Sequence, residues 1–295
     1  MMKIFLFGIK IKTTSELDFV RQVFDVSVKE NIAIQIYKPF HKELLSQGLD
    51  MSSWDVIGTR TELIRFNPDV AMVMGGDGTI LKVATFIQDS NIPVLGINLG
   101  RLGFLASVEK NSISKAMKQL KSKKFTIESR SLISLKSNKQ IFADFPFALN
   151  DFTLHKRDNS SMITIHVYVD GIPLNAYWAD GIIVSTPTGS TGYSLSCGGP
   201  IVFPNASNFI ITAVAPHNLN VRPIVLSDQH KISFRIEGRS DNFMCTLDGR
   251  YETVTADHTI EIQKADFSFG MVQLEGQNFM KTLSEKLWWG MDKRN

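Results

Sequence analysis

The chain has 295 residues, which exceeds the ~100 to 200 residues of a usual single domain and is enough for two moderate domains. Hydrophobic residues make up 43% and charged residues 21%, a balance that excludes a disordered chain and allows a sizeable core. The 32 basic and 29 acidic residues are spread along the sequence, so the net charge of +3 forms no basic tail or stripe and predicts no nucleic-acid partner.

The first part of the chain, up to about residue 124, alternates short apolar runs with helical periodicity. Strands are predicted where the runs are rich in β-branched residues, at residues 4–7, 32–37, 70–74 and 94–97. A helix between the first two has its apolar face at Leu17, Val20, Val23 and Phe24. Ser15 is placed as its N-cap. This alternation is typical of a parallel sheet with crossover helices.

After residue 125 the pattern changes to alternating runs separated by Gly, Pro, Asn and Asp, which favours antiparallel or mixed strands. These runs are residues 163–169, 182–185, 210–213 and 232–236. Asp170-Gly171 and Asp248-Gly249 each lie between strand-like runs and predict hairpins. A helical pattern returns at residues 277–289.

The predicted fold class is therefore an α/β N-terminal domain with a parallel sheet, followed by a β-rich C-terminal domain and a final helix. The predicted domains are residues 1–124, residues 125–275, and residues 276–295, whose helix returns to the first domain.

The N-terminal apolar run, residues 3–9, is too short for a signal sequence, and no stretch reaches ~18 apolar residues. Cys197 and Cys245 form no CxxC pair and have no histidines at zinc-ligand spacing, which favours reduced, buried thiols. We therefore expect a soluble, cytoplasmic protein with no membrane partner.

Residues 69–74 read as a buried strand that runs into the glycine loop GGDGT, residues 75–79, and then into a helix over residues 79–88. Glycines allow the backbone to approach an anion closely, and the N–H groups that open the helix point at it with the positive end of the helix dipole. Gly75, Gly76, Gly78 and Thr79 are thus predicted to bind phosphate. Lys82, one turn into the helix, could add a cation.

A carboxylate beside bound phosphates is repelled unless it has a task, and this loop contains Asp77. Two tasks fit: general base for a hydroxyl nucleophile, or holder of a magnesium ion. The alternative is a tight Asp-Gly turn of the kind found in many strand-to-helix connections. The loop has neither the Gly-Lys-Ser/Thr of a Walker A motif nor GxGxxG spacing.

The second constellation is the hydroxyl-rich segment STPTGSTGYSLS, residues 185–196, which ends at Cys197-Gly198-Gly199-Pro200. Its hydroxyl and N–H groups can bind ribose, base and phosphate oxygens, and Tyr193 offers a ring to a base. A flexible Ser/Gly loop is the alternative. The strand-like residues 181–184 and the rigid Pro187 argue against it.

In their order along the chain, these motifs resemble those of the NAD kinase family. The matching segments are GGDGT at 75–79, NLGRLGFL at 98–105, Asn150-Asp151, Asp180-Gly181, residues 185–199, HNLNVRP at 217–223 and KLWWG at 286–290. The resemblance spans about residues 1–290. The GGDGT loop alone is shared with diacylglycerol and sphingosine kinases and, in a close variant, with 6-phosphofructokinases, whereas the TPTGST run is far more specific.

The resemblance implies that the adenosine 2′-hydroxyl of NAD attacks the γ-phosphate of ATP and gives NADP. Asp77 would accept the proton or orient the hydroxyl, and Gly75, Gly76 and Gly78 would hold phosphates. A divalent cation, magnesium, would be bound with ATP rather than in a protein cage. NAD and ATP are thus the implied partners, in a cleft between the domains, and the family analogy implies a homodimer or homotetramer.

The resemblance also places a set of residues on family positions that bind the dinucleotide: Asn150, Asp151, Asp180, Thr191, Gly192, Tyr193, Ser194, Leu195 and Ser196. Phe104, in the GFL segment, either lines the same site or belongs to the core. Trp178, two residues before Asp180, is a position that varies among members.

Three positions depart from the usual family pattern. Asp151 replaces a glutamate and is shorter by one methylene, or about 1.5 Å, which bears on its ribose contact. Gly192 replaces an alanine, and Arg250 follows Asp248-Gly249 where a glutamine is common. Arg250 is a candidate for nucleotide binding, with a plain hairpin position as the alternative.

Two other functions stay open at this point. A lipid or sugar kinase of the same superfamily would share the Asp77 loop but lack Asn150-Asp151 and the hydroxyl-rich segment. A non-catalytic dinucleotide sensor would retain binding without turnover, and the intact Asp77 argues against it.

Overall fold

The computed structural model describes residues 1–100, 103–106, 108–109, 112–157, 162–238 and 241–288. Of the predicted segments, residues 101–102 of the NLGRLGFL motif and residues 289–295 at the C-terminus lie outside them. The chain divides into two compact units, one of residues 1–128 with 270–295 and one of residues 129–269. The first is α/β and the second is rich in antiparallel strands, which confirms the predicted fold class.

The helices and strands of the first unit are, in chain order, β1 (Lys3–Gly8), α1 (Thr14–Glu30), β2 (Ala33–Tyr37), α2 (Lys38–Ser46), β3 (Val56–Ile57), α3 (Arg60–Phe66), β4 (Val70–Met74), α4 (Asp77–Ile87), β5 (Val94–Asn98), β6 (Val108–Glu109), α5 (Ile113–Lys121) and β7 (Phe125–Arg130). Those of the second unit are β8 (Ile133–Ser137), β9 (Phe147–Ala148), β10 (Asp151–Lys156), β11 (Ile163–Val169), β12 (Ile172–Ala179), β13 (Gly181–Ser185), α6 (Tyr193–Ser196), β14 (Asn208–Val214), β15 (Ile224–Ser227), β16 (Ile232–Glu237), β17 (Phe243–Leu247), β18 (Arg250–Val254) and β19 (Ile260–Lys264). The chain then returns to the first unit with β20 (Phe269–Leu274) and α7 (Phe279–Leu287).

The sheet of the first unit runs in the order β3-β2-β1-β4-β5-β20-β7, with β6 beside β5. β1 pairs in parallel with β2 and β4, and β5 pairs in parallel with β4 and β20. β4 and β5 are buried along their length, as parallel strands covered on both faces are. Residues of β1 alternate between the faces: Ile4 and Leu6 join the core with α1 and α5, whereas Phe5 stacks on Phe86 of α4.

Helix α1 has the predicted apolar face, but its predicted N-cap is wrong. Thr13 precedes the helix, and its hydroxyl accepts the N–H of Glu16 at 3.2 Å. Ser15 lies inside the first turn. Only a residue with extended backbone just before the helix can bring its side-chain oxygen over the N–H three positions on, and Thr13 has that backbone.

The second unit consists of two antiparallel sheets, ordered β15-β14-β13-β10-β17-β18 and β12-β11-β16-β19-β8-β9. Alternate apolar side chains from both sheets form one core, in which the ring centroids of Phe152 and Phe234 lie 5.2 Å apart. Both predicted hairpins form. Asp170-Gly171 joins β11 to β12 and Asp248-Gly249 joins β17 to β18, with φ of 51°, 80°, 50° and 77° in that order.

The C-terminal segment contributes a strand and a helix to the first unit. Val272 and Leu274 of β20 and Leu283 of α7 are buried there. Asn278 caps α7 by accepting the N–H of Lys281 at 2.8 Å. Among the helices of the described residues, none combines the length and the apolar character that crossing a membrane requires.

Candidate active site

The glycine loop of the first unit joins the buried strand β4 to α4. Gly75 has φ of 151°, and a Cβ there would overlap the Thr79 hydroxyl, so both the backbone and the space require glycine. A Cβ on Gly76 or Gly78 would have no atom of the described residues within 4 Å. The loop therefore presents an unobstructed backbone at a helix N-terminus, where N–H groups lack intrahelical partners and attract anions.

Helix α4 begins at Asp77, two residues earlier than the sequence pattern predicts, so that Asp77 lies in its first turn. The half-buried carboxylate accepts three backbone N–H bonds: from Phe104 at 2.9 Å, from Leu105 at 3.0 Å and from Ala106 at 3.1 Å. A Cβ on Gly103 would overlap Asp77 Oδ1. Asp77 thus fixes the GFL segment against the start of α4, a task that the sequence does not indicate.

Two further predicted residues of this unit lie close to the loop in sequence or in space. Lys82 is exposed on α4, one turn beyond Gly78. Phe104 is half-buried, and Lys286 Nζ lies 6.0 Å from its ring centroid. The first unit therefore brings together the glycine loop, Asp77 and Phe104, with Lys82 on the adjoining helix face.

In the second unit, Asn150 and Asp151 are held at the start of β10 by the β17–β18 hairpin. The buried carboxylate of Asp248 accepts the backbone N–H groups of Leu149 at 2.7 Å, Asn150 at 2.7 Å and Asp151 at 3.2 Å. The sequence predicts Asp248 only as a turn residue, so its part in orienting Asn150 and Asp151 was missed.

The side chain of Asp151 is 8% exposed and lies near Asp248. Burial and the charge of Asp248 raise its pKa from 3.8 to about 7. Burial also raises the pKa of Asp248, but the three N–H groups and Arg250 oppose this rise. Because Asp151 receives none of those three N–H bonds on its own carboxyl, it is the member of the pair that we expect to take up the proton.

The hydroxyl-rich segment is ordered by hydrogen bonds to residues 149–150. Thr186 Oγ1 donates to the carbonyl of Leu149 at 2.6 Å and accepts the N–H of Gly189 at 3.1 Å. A Cβ on Gly189 would overlap the backbone of Asn150. The segment forms a 3-10 turn at Thr188–Thr191 and helix α6, so the alternative of a flexible Ser/Gly loop does not describe it.

Gly192 brings this segment beside Asn150 and Asp151. A Cβ at Gly192 would lie 3.2 Å from the carbonyl oxygen of Gly189, 3.7 Å from Asp151 Oδ2 and 3.9 Å from Asn150 Nδ2. Within the described residues, the buried Asn150 Oδ1 has no hydrogen-bond partner. Because buried amide oxygens are rarely left unpaired, this atom is available to a donor from a ligand.

Tyr193 projects from the same segment, and its side chain is 41% exposed. Its ring stacks on His155 with the centroids 5.7 Å apart. Partial burial, with the nearby Cys197, Asp151 and Asp180, raises the pKa of the Tyr193 hydroxyl. Burial lowers the pKa of His155, so that a neutral imidazole supports the tyrosine ring. No sequence signal links His155 to Tyr193.

The remaining predicted residues of the second unit have different environments. Asp180 pairs with Lys156 at 2.6 Å. Ser194 is fully buried, and its hydroxyl bonds to Thr212 Oγ1 at 2.9 Å, so its side chain serves packing. Thr191 and Leu195 are half-buried, and Ser196 is exposed.

Trp178 and Arg250 contact other protein groups. The indole of Trp178 is 49% exposed and lies 4.3 Å from the imidazole of His217, centroid to centroid. The guanidinium of Arg250 donates to the carbonyls of Phe145 and Phe147 and lies over the Phe142 and Phe145 rings. A nucleotide-binding role of Arg250 stays a prediction, and the contacts described here are structural.

Among the described residues, no cluster of three or more His, Cys, Asp or Glu side chains could hold a metal ion.

The arrangement is that of a two-domain phosphotransferase. One unit has a glycine loop before a helix, with Asp77 in the first turn, and the other unit brings together Asn150, Asp151 and Tyr193.

Comparison with known proteins identifies the family. Residues 12–125 match the ATP-NAD kinase N-terminal domain, and residues 149–274 match the ATP-NAD kinase C-terminal domain. A protein of Cytophaga hutchinsonii named NAD kinase is 47% identical over 280 residues, which cover 95% of each chain. The chain belongs to the NAD kinase family, which confirms the resemblance stated above.

Two solved structures share the fold. Yeast NADH kinase, complexed with NADH, matches with a TM-score of 0.87 at 22% identity, over 100% of this chain and 89% of the yeast chain. An NAD kinase from Archaeoglobus fulgidus, in complex with ATP, matches with a TM-score of 0.76 at 25% identity, over 97% and 99% of the two chains.

Proposed function

We propose that this enzyme transfers the γ-phosphoryl group of ATP to the 2′-hydroxyl of the adenosine of NAD and releases NADP and ADP. The observation that supports this acceptor best is the arrangement around Asn150 in the second unit. There the ordered hydroxyl-rich segment lies beside Asp151 and beside Asn150, whose buried amide oxygen has no hydrogen-bond partner among the described residues. The same segment carries Tyr193, whose hydroxyl is close enough to Asp151 for the charge of that carboxyl to affect its pKa. Such groups suit the ribose hydroxyls and the adenine of a dinucleotide.

In the first unit, Gly75, Gly76, Gly78 and Thr79 bind the phosphates of the donor, and Lys82 adds a positive charge. Asp77 orients the attacking hydroxyl and accepts its proton as the oxygen bonds to the γ-phosphorus. A carboxylate has about four acceptor positions. The three N–H bonds from residues 104–106 occupy three of them, which leaves one for the substrate hydroxyl.

In the second unit, Asn150, Asp151, Asp180, Thr191, Tyr193 and Ser196 bind the dinucleotide, and Gly192 and Leu195 shape the surface between them. Ser194 acts through packing, because its hydroxyl is bonded to Thr212. Phe104 and Trp178 offer rings to the substrates, and both have exposed or half-exposed faces.

The donor set fits a magnesium ion that is bound mainly by phosphates. Magnesium usually keeps several waters and binds through substrate phosphates with few protein ligands. This suits a loop whose carboxylate, Asp77, already accepts three N–H bonds and is assigned to the substrate hydroxyl. When bound, the ion would neutralise charge on the triphosphate.

We also propose that the enzyme acts as a homodimer or homotetramer in the cytoplasm. Strand β12 lies at the edge of its sheet and exposes Ile172, Leu174 and Trp178, which suits pairing with a second copy. Cys197 and Cys245 are free thiols, as is usual in a reducing compartment. Sedimentation equilibrium of the full chain measures the oligomeric state.

One assay tests the proposed function. The protein is incubated with ATP, magnesium and NAD, and NADP is detected with an NADP-specific dehydrogenase. We expect NADP to form only when all three are present. Phosphorylation of diacylglycerol or a sugar without NADP formation would contradict the proposal, and tight NAD binding without product would favour a dinucleotide sensor.

A further inference from the structure

A cavity of about 260 Å³ lies in the first unit, between α5 and the turn that joins β20 to α7. Its polar lining includes Lys115, Gln119, Glu275, Asn278, Lys281 and Glu285. None of these residues belongs to the groups assigned above to ATP or NAD. At about 30 Å³ for each water molecule, the volume corresponds to about nine waters, which suits a ligand of about ten non-hydrogen atoms.

Gln119 is a buried amide in the wall of this cavity. It lies on the buried face of α5 with Ala116 and Leu120, and it is only 9% exposed. Its side chain forms no hydrogen bond with any described residue. The amide atoms nevertheless retain accessible surface, and because Gln119 lines the cavity, that surface faces it. Buried amides are usually paired, and an unpaired one is costly, so the side chain is available to a ligand.

Charged side chains of both signs surround the amide. Lys281 and Glu285 are one turn apart on α7, and their charged atoms lie 3.8 Å apart, so these two charges partly compensate each other. Lys115 on α5 and Glu275 in the turn are exposed, and neither has an ion-pair partner among the described residues. One cation and one carboxylate are therefore free to bind groups of a ligand.

Two further features make the surroundings positive on balance. The cavity lies at the N-terminus of α7, where Asn278 caps the helix and where the helix dipole is positive. A second depression adjoins the cavity, shares three of its residues and adds Lys118 and Lys124. Among the described residues, the linings of the two together contain four lysines and two glutamates, which favours an anionic ligand.

We propose that this cavity binds a small organic anion that carries hydroxyl groups, either a phosphate ester or a hydroxycarboxylate. Lys115 binds the anionic group, the amide of Gln119 donates a hydrogen bond to it, and Glu275 accepts a bond from a hydroxyl of the ligand. A ligand without hydroxyl groups would leave Glu275 facing an anion without a donor between them. The inference goes beyond the proposed function and does not depend on it, because it concerns binding at other residues.

The test is calorimetric titration of the full chain with three probes: glycerol 3-phosphate, malate, and glycerol as the uncharged control. Gln119→Leu removes the amide and keeps a side chain of similar size, and Lys115→Ala removes the free cation. Two substitutions outside the cavity are the matched controls: Gln22→Leu, at an exposed glutamine of α1, and Lys42→Ala, at an exposed lysine of α2. Each titration of the wild type is repeated with saturating ATP and magnesium.

We expect at least one of the two anions to bind with a Kd of about 1 mM or lower, and glycerol not to bind. The anion that binds more tightly identifies the class of ligand. Gln119→Leu and Lys115→Ala each raise its Kd about tenfold or more, because each removes a charge-assisted hydrogen bond. The two control variants keep the Kd within about twofold of the wild type, and ATP does not displace the anion.

Three results would overturn the proposal: no binding of either anion at about 10 mM, an unchanged Kd in a folded Gln119→Leu or Lys115→Ala variant, or displacement of the anion by ATP. The last result would show that the anion binds at the phosphate site of the glycine loop. Circular dichroism reports whether the variants fold. If Gln119→Leu does not fold, Lys115→Ala decides, because Lys115 is exposed on the helix surface.

Discussion

At the scale of single residues, Asp77 combines a proposed chemical role with a structural one. Its carboxylate is bonded to the N–H groups of Phe104, Leu105 and Ala106, so any substitution acts both on the substrate hydroxyl and on the GFL segment. An asparagine at this position retains one oxygen, but its amino group would face an N–H donor.

We therefore expect Asp77→Asn to lower kcat by about 10² to 10⁴, as loss of a general base does, and to lower the melting temperature as well. The KM for NAD stays within about tenfold, because the proposed dinucleotide contacts lie on other residues. Steady-state kinetics and thermal melting measure both effects, with the exposed Asp25→Asn as control. Turnover close to that of the wild type would remove Asp77 from the chemistry.

Asp151 gives a pH-dependent contribution to stability. Because its pKa is raised from 3.8 to about 7, the folded protein binds a proton that the unfolded chain has already released between those values. The contribution is fully present below about pH 4 and is lost as the pH rises through about 7.

Asp151→Asn is expected to remove this dependence. The free energy of unfolding of the wild type falls from about pH 5 to about pH 8, on the order of a few kcal/mol, whereas that of the variant falls less. Urea unfolding across this range measures the two slopes, and other titrating groups affect both proteins alike. Equal slopes would show that Asp151 does not hold the proton.

At the scale of elements, the two Asp-Gly hairpins have the same turn geometry but different surroundings. Asp170 is exposed and accepts the N–H of Lys231 at 2.9 Å. Asp248 is buried and accepts three N–H groups of residues 149–151. The second hairpin therefore holds the start of β10 in place through buried bonds, whereas the first is bonded at the surface to residues 230–231.

This contrast predicts unequal effects of the same substitution. Asp248→Ala leaves three N–H groups without an acceptor and is expected to cost about 3 kcal/mol or more in the free energy of unfolding. Asp170→Ala costs much less, and it controls for alanine at φ near 50°, which both positions share. The KM for NAD is expected to rise only for Asp248→Ala. Equal losses at both positions in urea unfolding would contradict this account.

The same elements indicate what a sequence can predict. Four parallel strands (β1, β2, β4 and β5), the β-rich second part and both hairpins depend on local periodicity and on turn chemistry, and these were predicted. The parallel strands β3, β6 and β20 were not. The N-cap of α1 was not, because Thr13 and Ser15 are equally suitable by composition and only the backbone conformation separates them. The bonds of Asp77 to residues 104–106 and of Asp248 to residues 149–151 join distant parts of the chain, which no local pattern reveals.

The features of the candidate site likewise fall into two groups: those that a local sequence pattern predicts and those that depend on packing. The glycine loop and the hydroxyl-rich segment have recognisable spacing, whereas the burial of Ser194 and the stacking of Tyr193 on His155 arise only when β10, β13 and α6 pack together.

At the scale of the whole molecule, the first unit is discontinuous. Its sheet has β20 between β5 and β7, although the second unit separates β20 from both of these strands in the sequence. The sequence pattern shows the change from α/β to β-rich structure near residue 125 and predicts the final helix. It does not indicate that a late strand enters the first sheet.

Deletion of residues 270–295 tests the importance of this strand. It removes β20 and α7 and exposes the partners of Met271, Val272, Leu274 and Leu283, which are all buried. At about 1.5 to 3 kcal/mol for each apolar side chain, the loss is on the order of 6 to 12 kcal/mol, comparable to the whole stability of a domain. We therefore expect the first unit to unfold while residues 129–269 resist protease.

Deletion of residues 279–295 is the matched control, because it leaves β20 in place and removes only one buried side chain among the described residues, Leu283. Limited proteolysis with mass spectrometry identifies the protected fragments, and protection of residues 1–128 in the longer deletion would contradict a structural requirement for β20.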